Sequence, residues 1–354
     1  MKTVEMMGAT KVKNALLAKE KKGIKRLLAR NEVTVIIAVL FLGAIFTLFS
    51  DSFFTGYNLF NIGRTVAIYI FIALGQGMVV IVGGMNLSLG FIGGMTVVAV
   101  GYSMQVLRLP PAVAVVIGLI VGLLAGLLNG AIITVLKLNA FVVTLATSFV
   151  FAGLINGVSQ GFPYNDIPTN FTIIGRDGFL GIPHLLWLAV VTLVILGYFF
   201  KFTVTGRKVL ATGGNVEAAH MSGVNTNKMI ILANVASGMF AAIAGILWIS
   251  RTGSAQPSTG ADWMVVSFAV AVIGGISLKG GVFNPVGVFF AGFLIVMVKN
   301  GLVMLNANVY FEQTYLGIIL LLAVSLENIK VIINRNKLKK SLKAESKVYA
   351  EGNT

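Results

Sequence analysis

Polar groups that interrupt apolar sequence are the first candidates for chemistry in this chain. Residues 83–90 read GGMNLSLG and residues 274–281 read GGISLKGG, so both octets set glycines beside hydroxyl or amide groups between hydrophobic segments. Backbone groups that leave a helix inside hydrocarbon are tolerated only where protein or a water-filled cavity satisfies them. The octets therefore predict helix breaks, with close helix packing by glycine as the alternative. The glycines concerned are Gly83, Gly84, Gly274 and Gly275.

Groups that support catalysis are scarce by comparison. The chain contains 12 Asp and Glu residues, two histidines and no cysteine. His184 and His220 stand at a segment end and in a loop, without the spacing of metal ligands, and the sequence has no G-x-x-x-x-G-K-[ST] phosphate loop. We therefore expect no catalytic residue, no metal and no cofactor.

Composition places the chain in a membrane. It is 57% hydrophobic and 11% charged, with a mean hydropathy of +0.92. Long uncharged windows predict an all-α, polytopic transmembrane helical bundle of about ten spans, each near the ~20 residues that cross the hydrocarbon. The predicted spans are residues 33–50, 65–82, 87–106, 111–135, 139–158, 183–200, 229–250, 263–278, 284–305 and 311–332.

The distribution of basic residues predicts the orientation of the spans. The net charge is +15, and of the 27 Lys and Arg residues nine precede Val33 and seven follow Asn328. With ten spans and the N-terminus inside, 22 of the 27 fall on the inner side, as the positive-inside rule requires. We therefore expect both termini in the cytoplasm. The expected partner of the basic tails is anionic lipid and not nucleic acid.

This pattern predicts three regions. Residues 1–32 form a basic cytoplasmic tail, either an amphipathic helix on the membrane surface or a disordered segment. Residues 33–332 form the transmembrane domain, which includes a long inner loop at 201–228. Residues 333–354 form a second basic cytoplasmic tail.

Six ordered blocks of sequence carry a resemblance to a known family. They are IVGGMNLSLG at 81–90, LNAFVVTLAT at 138–147, TGRKVLATGGNVEAAHMSGVN at 205–225, SRTGSAQPSTG at 250–260, AVIGGISLKGG at 271–281 and KNGLVMLN at 299–306. Together they resemble the ribose-type (monosaccharide) permease subunits of bacterial ATP-binding-cassette importers, in the branched-chain amino acid/ribose permease superfamily. The resemblance runs from about residue 33 to residue 328.

The resemblance implies a transport subunit and not an enzyme. The chain would be the transmembrane permease of an ATP-driven importer for a monosaccharide or similar small polyhydroxy solute, multi-pass in the bacterial cytoplasmic (inner) membrane. The implied partners are a cytoplasmic ATP-binding-cassette ATPase, an extracytoplasmic sugar-binding protein and a second permease chain, identical or related. The alternative is a secondary transporter or channel for a small polar solute that needs no ATPase, although the scarcity of buried carboxylates argues against proton coupling.

One part of the inner loop resembles the segment by which importer permeases contact their ATPase. Glu217, Ala218 and Ala219, followed by Gly223, resemble its E-A-A-x-x-x-G pattern. The resemblance implies a short helix ended by glycine and seated in a cleft of the ATPase. A solvated turn is the alternative for so short a motif.

Within the resembling blocks, several residues suit a path for a neutral sugar. Such a path should present amides and hydroxyls with few charges, and the candidates are Asn86, Ser88, Thr144, Thr147, Gln256 and Asn300. The alternative for the two threonines is a hydroxyl bonded back to its own helix. Trp187, Trp248 and Trp263 lie near span ends and are expected as membrane-interface anchors. The roles of Arg251 and Lys299 stay open.

Two positions and one short stretch depart from the family pattern. Asn86 stands where relatives usually carry an acid, and Asn139 stands where they usually carry proline. An acidic stretch that is usual near the eighth span is Met-Val-Val at 264–266 here, with Asp262 just upstream. Because asparagine keeps the hydrogen-bonding shape of aspartate without its buried charge, we expect no mechanism that needs a carboxylate at position 86.

Overall fold

The computed structural model describes residues 31–305, 308–311, 313–315, 317, 318, 321 and 325. The described residues up to 305 belong to one compact unit, and those from 308 onward belong to a second. The predicted basic tails lie outside the described residues, apart from the last two positions of the first tail, and so does most of the predicted tenth span. In the second unit, the described part includes a 3₁₀ turn at Val309–Phe311.

Helices account for most of the first unit. The long apolar ones are α1 (Asn31–Phe49), α2 (Gly56–Ile81), α3 (Leu89–Gln105), α4 (Pro111–Val135), α5 (Ala140–Ser159), α7 (His184–Phe202), α10 (Thr226–Thr252), α11 (Trp263–Ile273) and α12 (Pro285–Met304). Shorter elements join them, namely α6 (Thr169–Arg176), the antiparallel pair β1 (Gly178–Phe179) and β2 (Ile182–Pro183), α8 (Val204–Gly214) and α9 (Val216–Met221).

A helix lies at each of the first nine predicted spans, although some boundaries differ. Helix α2 begins at Gly56 rather than at residue 65, because its polar first turns are satisfied within the protein. The side-chain amides of Asn58 and Asn300 bond to each other at 2.9 Å in both directions. Hydropathy missed these turns because it counts an amide as polar even when a second amide partners it.

Helices α2 and α10 form the centre of the bundle. Residues 66–81 of α2 and the residue after it are buried without interruption, and α2 packs on α7, α10, α11 and α12. Helix α10 packs in turn on α3 and α4. The expectation of Trp263 as an interface anchor is wrong. Its side chain is 1% exposed and lies against Gly93, where a Cβ would be 2.4 Å from the ring.

Backbone contact through glycine brings α4 and α10 together. A Cβ on Gly126 would lie 2.3 Å from the carbonyl oxygen of Asn234, and a Cβ on Gly122 would lie 2.5 Å from that of Gly238. Conversely, a Cβ on Gly238 would lie 2.1 Å from the carbonyl oxygen of Gly122. No side chain fits between the helices at these points, so small residues at the crossing set their separation.

The two ends of the bundle carry different elements. We call the end with residues 160–183, which include α6 and the β1–β2 hairpin, the hairpin end. We call the end with α8 and α9 the short-helix end. They are opposite ends, because α7 joins them with 19 residues, a rise of about 28 Å.

Among the described residues, seven helices are long and apolar enough to cross a membrane. Helices α3 and α11 are apolar but shorter. Each of the two follows a non-helical segment, at residues 82–88 and 253–262 respectively. The protein is therefore an all-α, polytopic membrane protein. In it, the two shorter apolar helices, α3 and α11, are each preceded by unwound backbone.

We expect Gly126→Ala to lower the stability of the purified protein by about 1–3 kcal/mol, because the added methyl group must push α4 away from α10. The thermal unfolding midpoint in one fixed detergent measures this change. Gly157→Ala is the matched control, since nothing lies within 4 Å of its Cβ position and the substitution also replaces a helical glycine. An equal midpoint for the two variants would contradict the proposed glycine contact.

Candidate functional site

The helix breaks at the two glycine pairs have the same geometry. Helix α2 ends at Ile81 and α11 ends at Ile273, just before each pair. Gly83 and Gly275 both adopt left-handed backbone, with φ of +82°. The N–H groups of Gly83 and Gly275, and of the residue after each, donate to carbonyls of the preceding turn, which satisfies part of each helix end.

Asn86 is the centre of a hydrogen-bonded network that holds the first break. Its Nδ2 donates to Ser237 Oγ at 2.9 Å, and its Oδ1 accepts from the N–H and the hydroxyl of Ser88 at 3.0 and 2.8 Å. The Ser88 hydroxyl also accepts from Asn129 Nδ2 at 2.8 Å. All four side chains are fully buried. The network therefore fastens the break to α4 and α10.

Two further side chains bind the unwound backbone itself. Thr144 Oγ1 on α5 accepts from the N–H of Leu87 at 3.1 Å and donates to Ala140 O at 2.7 Å. In the orientation that matches donors with acceptors, the Gln76 side chain donates to the carbonyl of Asn86 at 2.9 Å and accepts from its N–H at 3.3 Å. Side chains thus replace the helical bonds that the break removes.

The non-helical segment 253–262 runs along a glycine face of α3. A Cβ on Gly94 would lie 2.6 Å from the carbonyl oxygen of Thr259, and a Cβ on Gly90 would lie 2.1 Å from that of Gly260. Only a face without side chains allows an unwound backbone to approach a helix this closely. The glycines of α3 therefore seat the segment beside the helix.

The beginning of the same segment is tied to the loop that follows α5. Ala255 and Tyr164 exchange two backbone hydrogen bonds of 2.8 and 3.0 Å, and Ala255 packs against Gly101. Burial raises the pKa of the Tyr164 hydroxyl, and the nearby Tyr102 phenol raises it further. The hydroxyl therefore stays protonated and donates to the carbonyl of Val158 at 3.2 Å.

A cavity of 520 Å³ lies between segment 253–262, α3 and α5. It reaches from Phe91, in the first turn of α3, to the loop at the hairpin end. Its polar lining includes the exposed side chains of Asn156, Gln256 and Ser258, and Ile155 adds to its apolar lining. Amides and a hydroxyl beside an aromatic ring can bind a neutral molecule that has both hydroxyl groups and C–H faces.

The structure places the six predicted pathway residues in different surroundings. Gln256 lines the cavity, whereas Asn86, Ser88 and Thr144 belong to the buried network and face no open space in this conformation. Thr147 is also buried and donates to the Thr144 carbonyl at 3.3 Å.

Asn300, the sixth of these residues, pairs with Asn58 between α12 and α2. The alternative for the two threonines, a hydroxyl bond to the residue's own helix, is present at both Thr144 and Thr147. The cavity contains one of the six residues, and the other five are hydrogen-bonded inside the bundle.

Lys299 and Asp262 hold the C-terminal end of segment 253–262 in place. Lys299 Nζ donates to the Tyr69 hydroxyl at 2.6 Å and lies 3.6 Å from Asp262 Oδ2. Asp262 is the last residue before α11. The lysine on α12 therefore joins α2 to the point where the segment becomes helical. Arg251, in the last turn of α10, is half-buried.

At the short-helix end, the E-A-A motif lies on a helix. Helix α9 begins after Asn215, whose Oδ1 accepts from the N–H of Ala218 at 2.9 Å, and it closes at Gly223, which has φ of +80°. Ala219 is buried, whereas Glu217 and Ala218 are exposed. One face of α9 thus packs on the protein and the other is free for contact.

Several residues of this arrangement carried no prediction from the sequence. Asn156 and Ser258 line the cavity, and Gln76, Asn129 and Ser237 hold the break. An amide or hydroxyl inside an apolar span was the available signal, because such a group in hydrocarbon needs a partner. Among the residues that the structure describes, no three His, Asp or Glu side chains lie close enough to hold a metal ion.

We expect Ser88→Ala to lower stability by about 1–3 kcal/mol, because it leaves Asn129 Nδ2 buried without an acceptor. Asn129 Oδ1 already has no hydrogen-bond partner among the described residues. The double variant Ser88→Ala, Asn129→Leu should regain part of the loss, measured by thermal unfolding. Thr192→Val, which removes a hydroxyl that bonds to Leu188 O on the surface of α7, should change the midpoint little. Additive losses in the double variant would contradict the coupling.

Comparison with known proteins identifies the family of this chain. Residues 58–324 match the family model described as branched-chain amino acid transport system/permease component. The chain is 37% identical to the ribose import permease protein of Bacillus subtilis over 288 residues, which is 81% of this chain and 89% of that protein.

Two further relatives extend the comparison. The chain is 35% identical to the L-arabinose transport system permease protein of Escherichia coli over 84% of this chain and 89% of that protein. It is 28% identical to the autoinducer 2 import system permease protein of Photorhabdus luminescens over 92% and 98%. No solved structure matches the chain. The family match over most of the chain shows that this protein belongs to the branched-chain amino acid transport system/permease component family.

Proposed function

We propose that this chain, a permease subunit of an ATP-binding-cassette sugar importer, passes a monosaccharide or similar small polyhydroxy solute across the membrane by alternating access. Relatives named for ribose and L-arabinose support this class of solute. A separate ATPase hydrolyses the ATP. The observation that carries the proposed path is the cavity beside segment 253–262.

The chemistry of the cavity suits a sugar. Its volume of 520 Å³ falls within the range of about 300–1,000 Å³ that is typical of small-molecule sites. Asn156, Gln256 and Ser258 offer both donors and acceptors, and Phe91 offers an apolar ring for the C–H face of a sugar. Segment 253–262 is non-helical and lines this cavity, and non-helical backbone at membrane depth is tolerated where it lines a water-filled cavity.

The buried network is proposed as the next stage of the path. Phe91, at the deep end of the cavity, follows Ser88 by three residues in the chain. We infer that Asn86, Ser88 and Thr144 become accessible to the solute when the permease opens toward the short-helix end. Thr147 and Asn300 stay predicted pathway residues on the same grounds, as polar groups within the bundle.

We infer that the short-helix end faces the cytoplasm. That end carries the basic residues that the positive-inside rule assigns to the cytoplasmic side, Lys137, Lys201, Arg207, Lys208, Lys228 and Lys279. Ten spans with both termini in the cytoplasm complete this orientation, with residues 33–332 as the transmembrane domain. The membrane would be the bacterial cytoplasmic (inner) membrane, with anionic lipid bound by the basic tails at 1–32 and 333–354.

Helix α9 is the proposed contact with the ATPase. Glu217 supplies an exposed charge, and the small side chain of Ala218 allows a close approach. Buried Ala219 and left-handed Gly223 fix the helix to the rest of the permease. A second permease chain, identical or related, would complete the path, and an extracytoplasmic sugar-binding protein would deliver the solute at the hairpin end.

We expect Asn156→Leu and Gln256→Leu each to slow solute uptake about two- to tenfold, since a hydrogen bond to a neutral group contributes about 0.5–1.5 kcal/mol. Uptake of radiolabelled ribose or arabinose, whichever the wild type imports, is the measurement. Asn170→Leu is the control, because it removes an exposed amide at the same end outside the cavity. Uptake at the wild-type rate in both cavity variants would count against the proposed path.

We expect an ATPase that has a phosphate loop to co-purify with the tagged wild-type chain from its native membranes, in near-equal amount. Glu217→Lys should remove it while the chain stays folded, because charge reversal places a cation where the partner binds a carboxylate. Asp166→Lys, a charge reversal at the hairpin end, should retain the ATPase. If no ATPase elutes with the wild type and the purified chain alone moves solute in vesicles, a self-sufficient transporter replaces this proposal.

A further inference from the structure

Three segments that are distant in sequence meet at Gly213. They are the last turn of α8, the end of α2 at Ile81, and the loop after the second glycine break, where Gly280 and Gly281 lie. The N–H of Gly281 donates to the carbonyl of Ile81 at 2.9 Å, so the two breaks are hydrogen-bonded to each other. Gly213 lies against this bond.

The contact at Gly213 leaves no space for a side chain. A Cβ there would lie 1.6 Å from the carbonyl oxygen of Ile81 and 2.7 Å from the nitrogen of Gly281. From the other side, a Cβ on Gly280 would lie 2.5 Å from the carbonyl oxygen of Gly213. The backbones of the three segments are therefore in direct contact, with no side chain between them that could change rotamer.

Glycine is required on both sides of this contact for different reasons. Gly280 and Gly281 have φ of +83° and +75°, which side chains other than hydrogen rarely allow. Gly213 lies in a helix with ordinary backbone, so only the closeness of Ile81 and Gly281 demands glycine there. At neighbouring Gly214, by contrast, nothing lies within 4 Å of the Cβ position.

Gly213 is also close to the proposed ATPase contact. Helix α8 ends at Gly214, and Asn215 alone separates it from α9. Asn215 caps α9 with its side chain, and its own N–H donates to Ala211 O of α8 at 3.2 Å. The two helices are therefore joined by a connection that has little freedom to absorb a displacement.

We propose that Gly213 is the coupling residue through which movement of α9 reaches both helix breaks. A shift of α8–α9 must move the carbonyl of Ile81 and the N–H of Gly281 together, because the three backbones are in direct contact. The first break holds the Asn86 network, and the second ends α11, the helix that follows the cavity-lining segment 253–262. This inference rests on the proposed function, since it takes α9 as the part that the ATPase moves.

The test compares Gly213→Ala with Gly214→Ala in the complete importer, reconstituted in vesicles with its ATPase and binding protein. Both variants add one methyl group to the same turn of α8. We expect Gly213→Ala to keep its ATPase and to hydrolyse ATP within about threefold of the wild-type rate, while the solute moved per ATP falls at least tenfold. Gly214→Ala should keep the wild-type ratio. A wild-type ratio in Gly213→Ala would overturn the proposal.

A measurement without substitution covers the case in which Gly213→Ala does not assemble. Hydrogen–deuterium exchange of the wild-type complex is compared with and without a non-hydrolysable ATP analogue. We expect exchange at 279–284 and at 81–88 to change together with exchange at 215–223. A change at 215–223 alone would overturn the proposal. Failure of the proposed function would give a different result, because no ATPase would then co-purify with the wild-type chain.

Discussion

Hydrogen bonding of backbone in hydrocarbon is the constraint on which this structure depends. An unwound segment inside a membrane exposes N–H and C=O groups that lipid cannot satisfy. The chain unwinds at 82–88 and at 253–262, each time between two apolar helices. It supports the first segment with buried amides and hydroxyls, and it seats the second on a glycine face of α3. The surrounding helices are arranged around these two supports.

Glycine performs two separable tasks in this arrangement. Gly83 and Gly275 supply left-handed backbone, which ends α2 and α11 respectively. Gly84 and Gly274 allow close packing, since a Cβ at either position would lie within 2.9 Å of an atom of a neighbouring residue. From the sequence alone, a helix break and close helix packing are alternatives for each glycine pair. In the structure, each pair provides both. The reason is that a break can be buried only if its neighbours come close enough to exclude water.

Asparagine at position 86 is consistent with the network in which it lies. Its Oδ1 accepts two bonds from Ser88 while its Nδ2 donates to Ser237, so one neutral amide serves as acceptor and donor without a buried charge. An aspartate there would need Ser237 to turn and donate instead, and would carry its charge into a fully buried site. The break is thus held here by geometry and neutral hydrogen bonds.

The sequence by itself determined the membrane character, the positions of nine apolar helices and the two glycine breaks. These follow from hydropathy over about 20 residues and from local backbone preference, both of which depend on neighbours along the chain. The short helix at the E-A-A motif was likewise available from its residues and their family resemblance. Gln256 was a candidate because it is an amide within one of the resembling blocks.

Only the tertiary structure decided which polar groups meet. Asn129 and Ser237 are distant from Asn86 in sequence, and hydropathy carries no information on which face of a helix meets which neighbour. The same limit hid the cavity, whose lining comes from α3, α5 and segment 253–262. It also hid the contact at Gly213, because a helical glycine has the same local sequence signal whether its Cβ position is open, as at Gly214, or filled by another backbone. Contacts between segments far apart in the chain are set by packing of the whole bundle, and packing is a property of the folded chain.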